Sequence, residues 1–308
     1  MRPDLAVDVG QTGLRVATAS NGQVDRVWTG DGVTDRADPG GTLLAALTRA
    51  VGELGDEGYS TVAIGLTSVL GDSDSYRRLA ERLLEALAAQ RVMLCGDVVT
   101  AHAGALAGAP GVVLAAGTGA IALALTDDGT ARQVDGWGHH FGDAGGGYWI
   151  GSRGIDAAMR CHDGRGPTTA LTPRAAAIFG DLDTIAENLY SKPHLVRVIA
   201  GFAREVLELA ATDETAGRIV ADAGAELSDT VTAAARLWPP DASVTVSATG
   251  NLLTAPALSA AFSAYLRERA PHLRLVPPAA DGLGGAALLA SMADPGRYGK
   301  LMRAVVRR

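Results

Sequence analysis

The chain has 308 residues, 47% of them hydrophobic and 20% charged, with 34 acidic against 27 basic side chains and a net charge of −7. This balance suits a globular protein long enough for two modest domains, and its acidity excludes one whose affinity comes from neutralising many nucleic-acid phosphates. Lysine occurs only at Lys192 and Lys300, which excludes a phosphate loop ending in Gly-Lys-Ser/Thr and a kinase fold with an early strand lysine.

In chain order, Leu5 to Val9 reads as a strand carrying Asp8 near its end. Gly10-Gln11-Thr12-Gly13 then forms a glycine turn, and Leu14 to Thr18 a second strand closed by Asn21-Gly22. A helix is expected around Leu43 to Leu54, a buried strand at Thr61 to Leu66, an amphipathic helix at Ser75 to Ala89 and a strand at Arg91 to Leu94. Asp97 follows at the start of a small-residue helix. There it can either project a carboxylate into an α/β crevice or cap the helix.

The opening plan then recurs, with strand Val112 to Ala116, turn Gly117-Thr118-Gly119, strand Ile121 to Thr126 and turn Asp127-Asp128-Gly129. Twelve positions separate Gly10 from Gly22 and Gly117 from Gly129, so an internal duplication is expected. A glycine-dense loop runs from Gly136 to Gly151. A mainly helical region extends from about Ser152 to Leu237, with breaks at Pro167, Pro173 and Pro193. Strand Ser243 to Ala248, helix Ala255 to Arg269, strand Leu273 to Val276 and helix Gly282 to Met292 complete the pattern. Alternating strands and helices mean an α/β protein.

Glycine supplies 39 positions, roughly twice average usage, clustered in short runs rather than at a fixed period. A turn such as Gly10 to Gly13 can present several N–H groups to one phosphate, because glycine allows positive φ and close approach. An acid at the strand end, here Asp8, can hold magnesium, usually through water. Gly117-Thr118-Gly119 repeats the donors without the acid, so two such loops could grip a nucleoside triphosphate without lysine. Gly117 to Ala122 also fits the G-x-G-x-x-A dinucleotide fingerprint, but that needs a following helix, and the turn at Asp127 favours a hairpin. The loop from Gly136, anchored by Trp137 and Trp149 and carrying Asp143, suits a binding cleft. His139 and His140 lack a metal-ligand spacing. Cys95 and Cys161 form no paired motif, and no apolar stretch is long enough to span a membrane; the N-terminus has no secretory core. A reducing cytoplasm is the expected compartment.

Asp8 with Gly10 and Thr12, Asp97, Gly117 to Gly119, and above all Gly136-Trp137-Gly138 with Gly142-Asp143 and Tyr148-Trp149-Ile150-Gly151 resemble the N-acetylglucosamine kinases of the BadF/BadG/BcrA/BcrD-type ATPase family. That family lies within the actin, Hsp70 and sugar kinase superfamily, and the likeness runs from residue 5 to about 290. It implies two ribonuclease-H-like domains of the actin/hexokinase type, with mixed sheets and a cleft between them. They would comprise residues 1–110, joined by 293–308, and residues 111–292 with a helical insertion.

The resemblance implies an ATP-dependent kinase of an amino sugar or related hexose. Asp97 would be the general base for a sugar hydroxyl, the 6-hydroxyl by preference. Asp8 would position magnesium, while Gly10, Gln11, Thr12, Gly117, Thr118 and Gly119 would bracket the ATP phosphates. Thr249, Gly250 and Asn251 would meet the nucleoside, and Gly136, Trp137, Asp143 and Gly147 the sugar. A cytoplasmic homodimer without nucleic-acid or membrane partners is implied, and a sugar- or nucleotide-binding sensor that lost turnover is the alternative. The sequence departs from the family at Ala120 and Ile121, at Ala144 in place of glutamate and at Thr249 in place of glycine. These departures leave the identity of the sugar open.

Overall fold

The computed structural model describes residues 2–10, 13–32, 38–55, 58–67, 73–192 and 194–307. Gln11, Thr12 and Pro193 lie outside the described residues. The chain divides into two compact units, residues 1–113 with 123–132 and 277–308, and residues 114–122 with 133–276.

The first unit holds a six-stranded sheet. Its strands are β1 (Asp4–Val9), β2 (Leu14–Ser20), β3 (Gln23–Gly30), β4 (Thr61–Leu66), β5 (Arg91–Gly96) and β11 (Arg303–Val306), in the order β11-β5-β4-β1-β2-β3. β1, β4 and β5 run parallel, and β1 pairs antiparallel with β2, as the first glycine turn requires. Alternation along β1 sorts the two faces. Leu5, Val7 and Val9 pack with α1 (Pro39–Leu54) and α2 (Ser73–Ala86), where Leu47, Leu79 and Leu83 are buried. Each such side chain contributes roughly 1.5–3 kcal/mol by leaving water.

Ala6, Ala17 and Ala19 line the opposite face and pack against Leu283, Ala286 and Ala287 of α11 (Gly282–Ser291). Small side chains there let α11 and α3 (Asp97–Ala105) approach closely. A Cβ on Gly285 would stand 1.8 Å from the Thr100 carbonyl oxygen, and one on Gly104 2.1 Å from that of Asp281. Because α11 packs on α3 and β1, residues 277–292 group with the first unit, whereas the sequence assigned them to residues 111–292.

The other sheet, in the order β10-β9-β6-β7-β8, comprises β6 (Gly111–Ala116), β7 (Ala120–Leu125), β8 (Ala131–Asp135), β9 (Val244–Thr249) and β10 (Leu273–Val276). A strand, not a helix, follows Gly117-Thr118-Gly119, which removes the dinucleotide-fingerprint reading. The second unit also carries α4 (Gly147–His162), α5 (Leu171–Phe179), α6 (Ile185–Tyr190), α7 (Leu195–Gly201), α8 (Ala203–Leu209), α9 (Glu214–Ala234) and α10 (Pro256–Arg269). Pro173 does not break the helical region. It lies in the first turn of α5, where a missing N–H costs no intrahelical bond, and the break falls at 163–170. Strands β3, β8 and β11 were not expected. All three are edge strands, largely exposed and without a strong apolar alternation. No helix among the described residues is long and apolar enough to cross a membrane.

Candidate active site

In the first unit, three parallel strands deliver their C-terminal ends to one edge. Asp8 pairs in register with Gly65 of β4, and Gly65 with Cys95 of β5, so Asp97 follows two strand spacings, about 10 Å, across the sheet. Thr67, just beyond β4, lies between them. Its N–H donates to the Val9 carbonyl at 3.0 Å and its hydroxyl hydrogen-bonds the Asp97 carboxylate.

Asp97 opens α3. The glycine at 65 admits that helix against the sheet, since a Cβ there would meet the Thr100 hydroxyl at 2.4 Å. Gly96, not Asp97, occupies the helix N-cap position, and no side chain caps it. Burial pushes the Asp97 carboxyl up from 3.8 to about 6, assisted by the nearby Asp8 charge and opposed by hydrogen bonds from Thr67 and the Val98 N–H. A carboxylate in the first turn of a helix is ordinarily stabilised by the dipole, so desolvation is the dominant effect here.

Asp8 has a partner that sequence reasoning did not identify. Arg15, on β2 beside it, bonds Asp8 at 2.5 Å and also Asp281 at 2.5 Å, the residue that caps α11 by accepting the Gly284 N–H at 3.0 Å. Burial alone would raise the Asp281 carboxyl, but the Gly284 N–H and Arg15 outweigh it and hold the group below its usual value. The antiparallel register pairing Asp8 with Arg15 was the available signal. The first glycine turn is closed by a 2.9 Å bond from the Gly10 N–H to the Gly13 carbonyl, while Gln11 and Thr12 lie outside the described residues.

In the second unit the remaining residues gather around the end of β6. The Gly117 N–H bonds the Gly119 carbonyl at 2.9 Å, forming a tight turn. Gly250 has φ +102 and packs its backbone against Ala116, where a Cβ would be 2.1 Å from the carbonyl oxygen, so the Thr249-Gly250-Asn251 turn borders the Gly117 turn. The loop from Gly136 closes on the other side. The N–H groups of Gly147 and Tyr148 each donate at 2.8 Å, to the Gly117 and Thr118 carbonyls respectively. Gly147 is therefore engaged through its backbone.

The Asp143 carboxylate accepts from the Ala120 and Gly138 N–H groups. Its pKa is raised, first by burial and then by the neighbouring Asp135 charge. Trp137 is 71% exposed and Phe141 88%, whereas the His139 ring packs at a tilt against those of His140 and Tyr148, at centroid separations of 4.0 and 4.7 Å. Ile121 lies beneath Gly136, where a Cβ would meet its Cδ1 at 2.6 Å, so this departure from the family supports the loop by packing.

The BadF/BadG/BcrA/BcrD ATPase family model matches residues 6–290. The chain belongs to that family. A curated N-acetylmuramic acid/N-acetylglucosamine kinase from Clostridium acetobutylicum is 29% identical over 130 residues, which is 42% of this chain and 42% of that protein. The match thus spans under half of the relative's length. The fold also resembles that of a Chromobacterium violaceum protein provisionally assigned as an N-acetylglucosamine kinase, at 28% identity and TM-score 0.75, covering 94% of this chain and 99% of that one. A ROK-family glucokinase from Streptomyces griseus, solved with glucose and AMPPNP, shares the fold at 15% identity and TM-score 0.59, covering 94% and 98%. With these relatives, the two mixed sheets define a two-domain actin-like fold.

Proposed function

We propose that this family member is an ATP-dependent kinase of an amino sugar or related hexose, acting on the 6-hydroxyl with Asp97 as general base. The observation that carries the reading is Asp97 itself, a carboxyl held near pKa 6 beside the C-terminal ends of three parallel strands in a chain of an ATPase family. At neutral pH the group is ionised, yet it is a stronger base than an ordinary aspartate, which suits proton removal from an alcohol. The named activities of the Clostridium and Chromobacterium relatives support an amino sugar as acceptor.

In the reaction, an Asp97 oxygen takes the hydroxyl proton as the sugar oxygen bonds to the γ-phosphorus and the bond from that phosphorus to the β-phosphate oxygen breaks, giving sugar phosphate and ADP. Positioning and charge stabilisation supply most of the rate. The turns at Gly10 and at Gly117 to Gly119 would hold the phosphates through N–H groups, and the Thr249-Gly250-Asn251 turn would meet the nucleoside. Gly136, Trp137 and Asp143 would contact the sugar, with Gly147 bracing the loop. Asp8 and Asp97 offer the hard oxygen donors that magnesium takes, and Asp8 would hold the ion through its water shell. Magnesium there would neutralise developing phosphate charge. The same reading makes the protein a cytoplasmic homodimer, which light scattering tests for assembly.

The deciding assay measures ADP release with glucosamine, N-acetylglucosamine, N-acetylmannosamine, N-acetylmuramic acid and glucose. At least one amino sugar should stimulate turnover, with phosphate on the 6-oxygen of the product. If none does while the same sugars raise the melting temperature, the protein is a sensor and the kinase reading fails.

A further inference from the structure

We propose that Asp135 is a positioning residue which, through Asp143, fixes the Gly117–Gly119 turn against the Trp137 loop, so that one pair of carboxylates sets both the phosphate donors and the acceptor pocket. The inference rests on the kinase reading for its functional consequence and on geometry for its substance.

Asp135 ends β8 with φ +62, a left-handed conformation that glycine takes freely and most side chains avoid. Aspartate is one of the few side chains that visit this region, and here its two oxygens are each engaged. Oδ1 accepts the Asp143 N–H at 2.7 Å and Oδ2 the Ala144 N–H at 3.0 Å. Asp143 is itself left-handed, at φ +59, and its carboxylate reaches on to the Ala120 and Gly138 N–H groups. Two glycines make the approach feasible. A Cβ on Gly142 would lie 2.2 Å from Asp135 Oδ1, and one on Gly119 2.5 Å from Asp143 Oδ2.

The chain of contacts therefore runs from Asp135 to the 143–144 backbone, from Asp143 to the first residue of β7, and from Gly147 and Tyr148 back to the carbonyls of Gly117 and Thr118. Both ends of the turn are thus held by a segment that Asp135 holds. Bringing two like charges together and placing both residues at positive φ opposes folding stability. Glycine at 135 would relieve strain and repulsion but leave the Asp143 and Ala144 N–H groups without their acceptor, so the aspartate's net provision is the placement of that backbone.

Two variants separate this role from simple support. Asp135→Gly removes the carboxylate and the backbone strain together, whereas Asp135→Asn tolerates positive φ and keeps one acceptor oxygen. Hydrogen exchange at the Ala120, Asp143 and Ala144 amides, MgADP and MgAMPPNP dissociation constants and melting temperature are measured on the full chain. Asp135→Gly should speed exchange at all three amides, and weaken MgADP, by about tenfold or more, with a melting temperature within a few degrees of wild type because relief of strain and repulsion offsets the two lost hydrogen bonds. Turnover should show KM raised for both ATP and sugar. Asn should restore one of the two amides at 143 and 144 and an intermediate MgADP affinity. Unchanged exchange at Ala120 in Asp135→Gly overturns the proposal, as does a loss of affinity that merely follows a lowered melting temperature. If the wild-type protein binds neither MgADP nor MgAMPPNP, the kinase reading fails, and the exchange comparison still decides the positioning role.

Discussion

Asp97→Asn should make the protein more stable and less active at the same time. The carboxyl titrates near 6 in the folded chain against an ordinary value of 3.8, so holding it ionised at pH 7.5 costs about 3 kcal/mol, mainly through desolvation. Asparagine removes the charge while keeping an oxygen for the Thr67 hydroxyl. Part of the side chain is reached by solvent and the retained hydrogen bond is weaker to an amide, so a gain of about 1–2 kcal/mol is expected, or a few degrees in melting temperature. Loss of the general base should lower kcat about 10²- to 10⁴-fold while the MgADP dissociation constant stays within about threefold. Differential scanning calorimetry, isothermal titration and ADP-release kinetics on one preparation give all three quantities. An Asp97→Asn protein that is less stable at pH 7.5 would refute the desolvation argument, and one with full turnover would refute the base.

Three further outcomes follow from particular contacts. The kcat/KM of the wild-type enzyme should fall as pH drops through about 6, because Asp97 gains its proton there; a profile flat to pH 5 would contradict this. Gly285→Ala should cost about 3 kcal/mol in denaturant titration, since its Cβ would lie 1.8 Å from the Thr100 carbonyl oxygen in the backbone of α3; a wild-type midpoint would mean that the two helices can separate freely. Arg15→Ala should lose about 1 kcal/mol or less at low salt, because the guanidinium is 39% exposed, and the deficit should shrink towards zero near 1 M salt. A salt-independent deficit would assign Arg15 a packing role instead.

The glycine turns, the parallel strands and Asp97 were legible because each carries a local signal: an apolar run, a break, a carboxylate at a strand end. The register of β1 and β2, which sets Asp8 beside Arg15, comes from the structure. Arg15 was not singled out, since nothing local distinguishes one of 25 arginines; its partner Asp281 is 266 positions away in sequence and becomes a neighbour only when α11 lies across β1. Asp135 escaped for a related reason. Its left-handed backbone contradicts local preference, so the pattern there reads as the end of an exposed edge strand, and its role is visible only through two backbone N–H groups eight and nine residues on. The domain assignment of residues 277–292 depended on helix packing through Gly104 and Gly285, which periodicity does not encode.

The stability cost at Asp97 has a counterweight five residues along the same helix. His102 is fully buried, its Nδ1 facing the Tyr298 hydroxyl at 3.0 Å and its Nε2 the Gly111 carbonyl at 3.1 Å, and burial lowers its pKa from 6.5 to about 4. Between about pH 4 and 6 the unfolded chain therefore binds one proton at this histidine that the folded chain does not, so stability falls as pH is lowered. At Asp97 the folded chain binds the extra proton over nearly the same interval, and stability rises as pH is lowered. Each effect amounts to about 3 kcal/mol across its window, and in the wild type the two slopes nearly cancel. Removing either partner exposes the other. Relative to wild type, the stability advantage of Asp97→Asn should be full above pH 7 and shrink towards zero near pH 4. His102→Leu leaves the Tyr298 hydroxyl and Gly111 carbonyl without their partner and should cost about 2–4 kcal/mol at pH 7.5, a deficit that narrows towards pH 4 as the histidine of the unfolded wild-type chain takes up its proton. Calorimetry of both variants and the wild type from pH 4 to 8 measures these differences directly. Difference curves that run parallel to the pH axis would show that neither group carries the protonation change, and the physical basis for Asp97 as a tuned base would fall with them.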